Sequence, residues 1–124
     1  MPQVSILPNP VARFVVGINT ADIALVLSQF VEDAIVNDQL REYCGADSIR
    51  RWVEQDCIGK ALAIDVVHAR RHYGQMILTG RIEGEFDKRG LPNPLLLTFY
   101  FTQDGGKVVQ LIVLPKMNDR DTDT

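Results

Sequence analysis

The chain has 124 residues, 46% of them hydrophobic and 23% charged, with a formal net charge of −3. That length suits one domain and buries a core large enough to need no disulfide or metal staple. Asp119, Asp121 and Asp123 against Arg120 put −2 of the charge on the last seven residues and leave −1 on the body, so no single-sign field remains to attract nucleic acid or an anionic membrane.

In chain order, Asn9-Pro10 reads as a helix start, because Asn can cap and Pro suits the first helical position. Thr20 reads as a second N-cap, before an apolar stripe of Ile23, Val26, Leu27, Phe30 and Val31. Two consecutive helices, or one bent helix, are expected over 9–30. Ala34 to Asp38 is a short strand that Leu40 to Tyr43 continues after a turn. Gly45-Ala46-Asp47 opens a helix with Ile49, Trp52, Val53 and Cys57 on one face, and Gly59 ends it. From Lys60 the period changes from 3.6 to 2, the mark of a change from helix to sheet. Strands are expected at 61–72, 75–86, 95–102 and 107–114, with a loop over 87–94 (DKRGLPNP) and a tight turn at Asp104-Gly105-Gly106.

Helices first and an antiparallel sheet second indicate an α+β domain over 1–117, followed by a polar, disordered tail over 118–124. Gly80 and Gly84 would ease strong bending of a sheet that curls around the helices. No apolar run approaches the ~20 residues that span a bilayer. The start MPQVSILPNP lacks the order of a signal peptide, so a cytoplasmic location is the default expectation. Cys44 and Cys57 have no Cys-x-x-Cys spacing and no His at zinc-site intervals, which points to reduced, at least partly buried thiols. Without a glycine-rich phosphate loop or a ligand cluster, neither metal nor cofactor is expected. Arg70-Arg71-His72 reads as a solvated strand end.

FVEDAIVND at 30–38, YCGADSIRRW at 43–52, GRIEGEF at 80–86 and LTFYFTQDGGKVVQLIV at 97–113 stand in an informative order and spacing. Together they resemble the nuclear-transport-factor-2-like superfamily, in its SnoaL-like (polyketide cyclase-like) branch, which includes ketosteroid isomerase. The likeness covers about residues 9–114. It implies a cone-shaped α+β barrel with an apolar pocket at its open end, and commonly a homodimer. Asp33 to Asp38 reads DAIVND where the isomerase has a motif like DATVED, which places Asp38 at that enzyme's general base. The isomerase's oxyanion hole uses a Tyr and a protonated Asp. The matching positions here are Phe14 and Leu97 or Thr98, so both donors are missing. Removing one such donor typically costs about 10²–10³ in rate, which argues against ketosteroid isomerisation by the usual route. Tyr43, the Trp52 indole N–H and His68 are the possible substitutes.

Asp38 shares a strand face with Val36, so an inward Val36 carries the carboxylate inward with it. It is either a general base or a structural group that caps the Gln39-Leu40 turn or pairs with Arg41. His68 would lie inward if Leu62, Ile64, Val66 and His68 form one face, orienting Asp38; otherwise it is an ordinary strand-end histidine. Phe14, Tyr43, Trp52, Ile82 and Phe99 are the expected pocket wall, and plain core packing is the alternative for each. Tyr100 should face outward with Thr98 and Thr102, where a homodimer could pair its sheets.

Two classes of function stay open on this reading. One is an isomerase- or cyclase-like proton transfer on a small hydrophobic or polycyclic ligand, with Asp38 as base. The other is a module that binds a small ligand or a protein partner without chemistry.

Overall fold

A computed structural model describes residues 7–116. The expectation of a polar tail over 118–124 lies outside the described residues. Helix α1 (Asn9–Asn19) starts after Pro8, which takes the cap position in an extended conformation without a side-chain bond, so Asn9 is already helical. The short α2 (Ile23–Leu27) is capped by Asp22, whose Oδ1 accepts from the Leu25 N–H at 3.0 Å. Thr20 is therefore not the cap. Its hydroxyl turns back to the Val16 carbonyl at 2.7 Å, and Ala21 takes a positive φ of 56° to round the corner.

Strand β1 (Phe30–Asp38) begins four residues before the expected start at Ala34, because Phe30 already pairs with Val108. It forms a hairpin with β2 (Arg41–Cys44). Helix α3 (Gly45–Trp52) runs on through a π-helical turn at Val53–Cys57 and a 3₁₀ turn at Ile58–Lys60. Four strands follow: β3 (Ala63–His72), β4 (Gln75–Glu83), β5 (Leu96–Asp104) and β6 (Lys107–Pro115). They form a single six-stranded sheet in the order β2-β1-β6-β5-β4-β3. Every pairing is antiparallel except β1 with β6, which is parallel and joins the first hairpin to the long meander.

Bulges of one extra residue in the β3–β4 and β5–β6 ladders bend this sheet, and the β1–β6 register shifts further, between Phe30 and Ile35. Gly80 and Gly84 assist by close approach. A Cβ on Gly80 would stand 2.7 Å from Ile64 Cγ2, and one on Gly84 would stand 2.9 Å from the Lys60 carbonyl oxygen. The helices cover one face of the sheet, and Phe14 on α1 is the centre of that packing. Its ring meets Phe30, Phe99 and Phe101 edge-on, at centroid separations of 6.1, 6.4 and 5.4 Å. At the far end of α1, Asn19 clasps the exposed edge of the sheet. Its amide donates to the Ile64 carbonyl at 2.9 Å and accepts from the Ile64 N–H at 2.7 Å.

Candidate functional site

The helices do not fill the concave side of the sheet completely. A cavity of about 370 Å³ lies between α1, the α3 extension and the ends of β1, β4, β5 and β6. That volume falls at the lower end of the ~300–1,000 Å³ typical of small-molecule sites. Phe14, Trp52, Ile82 and Phe99 line it, and so does Leu97, the inward member of the pair Leu97 and Thr98. The polar lining is confined to two stretches at one rim: Asp38, Gln39 and Arg41 around the β1–β2 turn, and Asp56 and Lys60 in the α3 extension.

Asp38 is half-buried and lines the cavity, on the same face as the fully buried Val36. Trp52 Nε1 donates to its Oδ2 at 2.9 Å and Gln39 Nε2 donates to its Oδ1 at 3.1 Å. The turn is closed by Asn37, whose Oδ1 accepts from the Leu40 N–H at 2.9 Å, and Asp38 forms no ion pair with Arg41 among the described residues. The two donors instead fix the carboxylate against the indole, itself stacked on Phe14 at 6.4 Å and 13°.

His68 does not belong to this group. The β3–β4 register slips between Val66 and His68, so Val67 is an extra residue and the inward series runs Ile64, Val66, Ala69. A slip of one residue reverses every later side chain, and His68 is exposed. Tyr43 is also off the cavity. It lines a smaller hollow of about 260 Å³, to which Trp52 also contributes, so that the indole forms a shared wall. Its hydroxyl donates to Asp56 Oδ2 at 3.0 Å, and its pKa is raised, by burial first and then by Asp56, while Arg41 beside the hydroxyl pulls the other way. Of the three possible oxyanion donors, the Trp52 N–H is committed to Asp38, the Tyr43 O–H to Asp56, and His68 faces away.

Asp56, Cys57 and Lys60 are lining residues that the sequence reading did not assign to a site. Counting on by seven from Ile49 would have placed Asp56 on the helix face of Trp52 and Val53. Cys57 is buried and its thiol is pushed well above the ordinary value, chiefly by burial and further by the charges of Asp38 and Asp56, so it lines the cavity as S–H. Cys44, expected to be at least partly buried, is exposed just ahead of α3. Among the described residues no three His, Cys, Asp or Glu cluster as metal ligands, and no helix is long and apolar enough to cross a membrane.

No family model matches the chain, and no curated protein matches it by sequence. Solved structures match it in fold. A candidate polyketide cyclase from Sinorhizobium meliloti is 21% identical, with a TM-score of 0.81 over 90% of this chain and 99% of that one. SalBIII, an epoxide hydrolase/cyclase-like enzyme in pyran ring formation in the polyether salinomycin, is 18% identical, with a TM-score of 0.72 over 90% and 91%. A protein of ketosteroid isomerase-like fold from Catenulispora acidiphila, in complex with trimethylamine, is 14% identical, with a TM-score of 0.70 over 86% and 85%. The fold is thus the nuclear-transport-factor-2-like one that the sequence resembles, shared with polyketide cyclase-like and ketosteroid isomerase-like proteins.

Proposed function

We propose that the chain binds a compact, largely apolar small molecule in the cavity behind Trp52, and that Asp38 is the group that acts on it. The observation that carries this reading is the position of Asp38 at the polar rim of a cavity whose remaining wall is apolar, with each carboxylate oxygen held by a neutral donor. Two such hydrogen bonds fix the direction of the carboxylate, and a positioned carboxylate is suited to removing a proton beside a ligand carbonyl. The occurrence of cyclase-like enzymes and of a small-amine complex on the same fold supports a small-molecule site.

A non-catalytic binding module is the second reading. It is favoured by the donors: with Trp52 and Tyr43 committed and His68 facing out, an enolate formed by Asp38 would have to find its stabilisation elsewhere on the rim. Catalysis and binding separate in one comparison. An enzyme loses turnover of an apolar ketone in Asp38→Asn while still binding it. A binding module is stabilised thermally by the same ketone in both forms and turns it over in neither.

A homodimer through the outer face of the sheet belongs to this proposal. Rows such as Ile77–Tyr100–Ile112 and Thr79–Thr98–Leu114 run across that face in register, and their apolar members are buried or half-buried in the single chain. Ile112→Lys should convert a dimer to a monomer in sedimentation velocity; a monomeric wild type would refute the dimer.

A further inference from the structure

We propose that Arg41 is the recognition point for a carboxylate on an otherwise apolar ligand, so that the cavity prefers compact apolar carboxylic acids to their neutral analogues. This rests on the reading of the cavity as a ligand site and adds the chemical class of the ligand. The other charges of the rim are already occupied. Asp38 is held by Trp52 and Gln39. Asp56 accepts from Tyr43 and faces the Lys60 ammonium at 3.9 Å. Arg41 is Asp38's direct cross-strand partner in the β1–β2 hairpin, yet its guanidinium makes no ion pair among the described residues. It lies beside the Tyr43 hydroxyl and lines the mouth of the cavity.

A guanidinium carries five N–H donors in a planar fork that matches both oxygens of a carboxylate. One neighbouring hydroxyl leaves most of that fork free. The apolar body of the ligand would lie against Phe14, Ile82 and Phe99, and its acid group would emerge at the rim, the one part of the wall with polar groups. Lys60 adds positive charge to the same rim, partly offset by Asp56. Asp38 opposes a second carboxylate nearby, so the acid must sit on the Arg41 side, and removing the charge of Asp38 should strengthen its binding.

The test is calorimetric titration of the full chain with 2-naphthoate and with 2-naphthamide, which share a ring system and differ in charge. Wild type should bind the acid roughly tenfold more tightly than the amide, between the effects of an exposed and a buried ion pair. Arg41→Gln should weaken naphthoate to the level of the amide and leave the amide unchanged. Arg41→Lys should keep part of the preference, high salt should reduce it, and Asp38→Asn should increase it. Arg41 is exposed, and circular dichroism of both Arg41 variants would confirm that they fold. Equal affinity for acid and amide in wild type, or a preference that survives Arg41→Gln, would overturn the proposal while leaving the cavity as a ligand site. Binding of neither compound would count against the cavity reading itself and remove the proposal with it.

Discussion

Trp52→Phe isolates the contact on which the site's geometry depends. The substitution keeps an aromatic ring against Phe14, stacked at 6.4 Å in the wild type, and deletes the N–H that donates to Asp38 Oδ2 at 2.9 Å. A hydrogen bond to a charged group contributes about 1.5–3 kcal/mol net. Asp38 is only half-buried, so water can replace part of the loss and the lower end, about 1.5 kcal/mol, applies. The missing part of the indole adds roughly 1 kcal/mol of lost packing, at the small end of large-to-small core changes. Unfolding in urea should therefore show a loss of about 2–3 kcal/mol, or roughly 8–15 °C in Tm for a chain of this size. A double-mutant cycle with Asp38→Ala removes the packing contribution and should return a coupling energy of about 1–1.5 kcal/mol. A coupling below about 0.3 kcal/mol, within the additivity of independent sites, would show that the indole does not hold the carboxylate.

Asn19→Ala should cost about 0.5–1.5 kcal/mol, since it removes both side-chain partners of the Ile64 backbone at an edge where water can replace part of the loss. A urea midpoint unchanged from wild type would refute that. Leu40, with φ at +75° and 84% exposed, sits in a tight hairpin turn beside Gln39 at +54°. Leu40→Gly should stabilise the chain by about 0.5–1 kcal/mol, because glycine adopts that conformation without the Cβ clash; a lower Tm would contradict it. The Cys57 thiol is raised in the folded state, so the folded chain keeps a proton that the unfolded chain releases near the ordinary thiol value of about 8.5. Its contribution to stability is complete below that pH and is lost as pH rises through it towards the folded value. Urea midpoints measured from neutral pH upward should thus fall more steeply in wild type than in Cys57→Ala. Parallel curves would refute the effect.

The fold was legible because its signals are periodic and long. The alternation of Met76, Leu78 and Ile82, and the turn residues Asp104-Gly105-Gly106, mark strands and hairpins without reference to the rest of the chain. Asp38 was legible through Val36, since strand parity carries both to one face. His68 misled the same logic: a bulge at Val67 depends on how β3 fits β4, and no local residue announces it. Tyr43 was misplaced for a related reason. Its neighbour Trp52 is wide enough to divide two hollows, and only packing decides which side a ring occupies. The Trp52–Asp38 bond joins residues fourteen apart in sequence, and the parallel pairing of β1 with β6 joins opposite ends of the chain. Contacts of that kind arise from the closed fold.

The most direct measurement labels the isoleucine δ1 methyls and follows them by NMR while 2-naphthoate is added. Ile18, Ile64 and Ile82 line the cavity, whereas Ile77 and Ile112 lie on the outer face of the sheet. The account predicts shifts and intermolecular NOEs at the first three methyls and none at the other two. Saturable NOEs confined to Ile77 and Ile112, or no response at Ile82 at any ligand concentration, would contradict it.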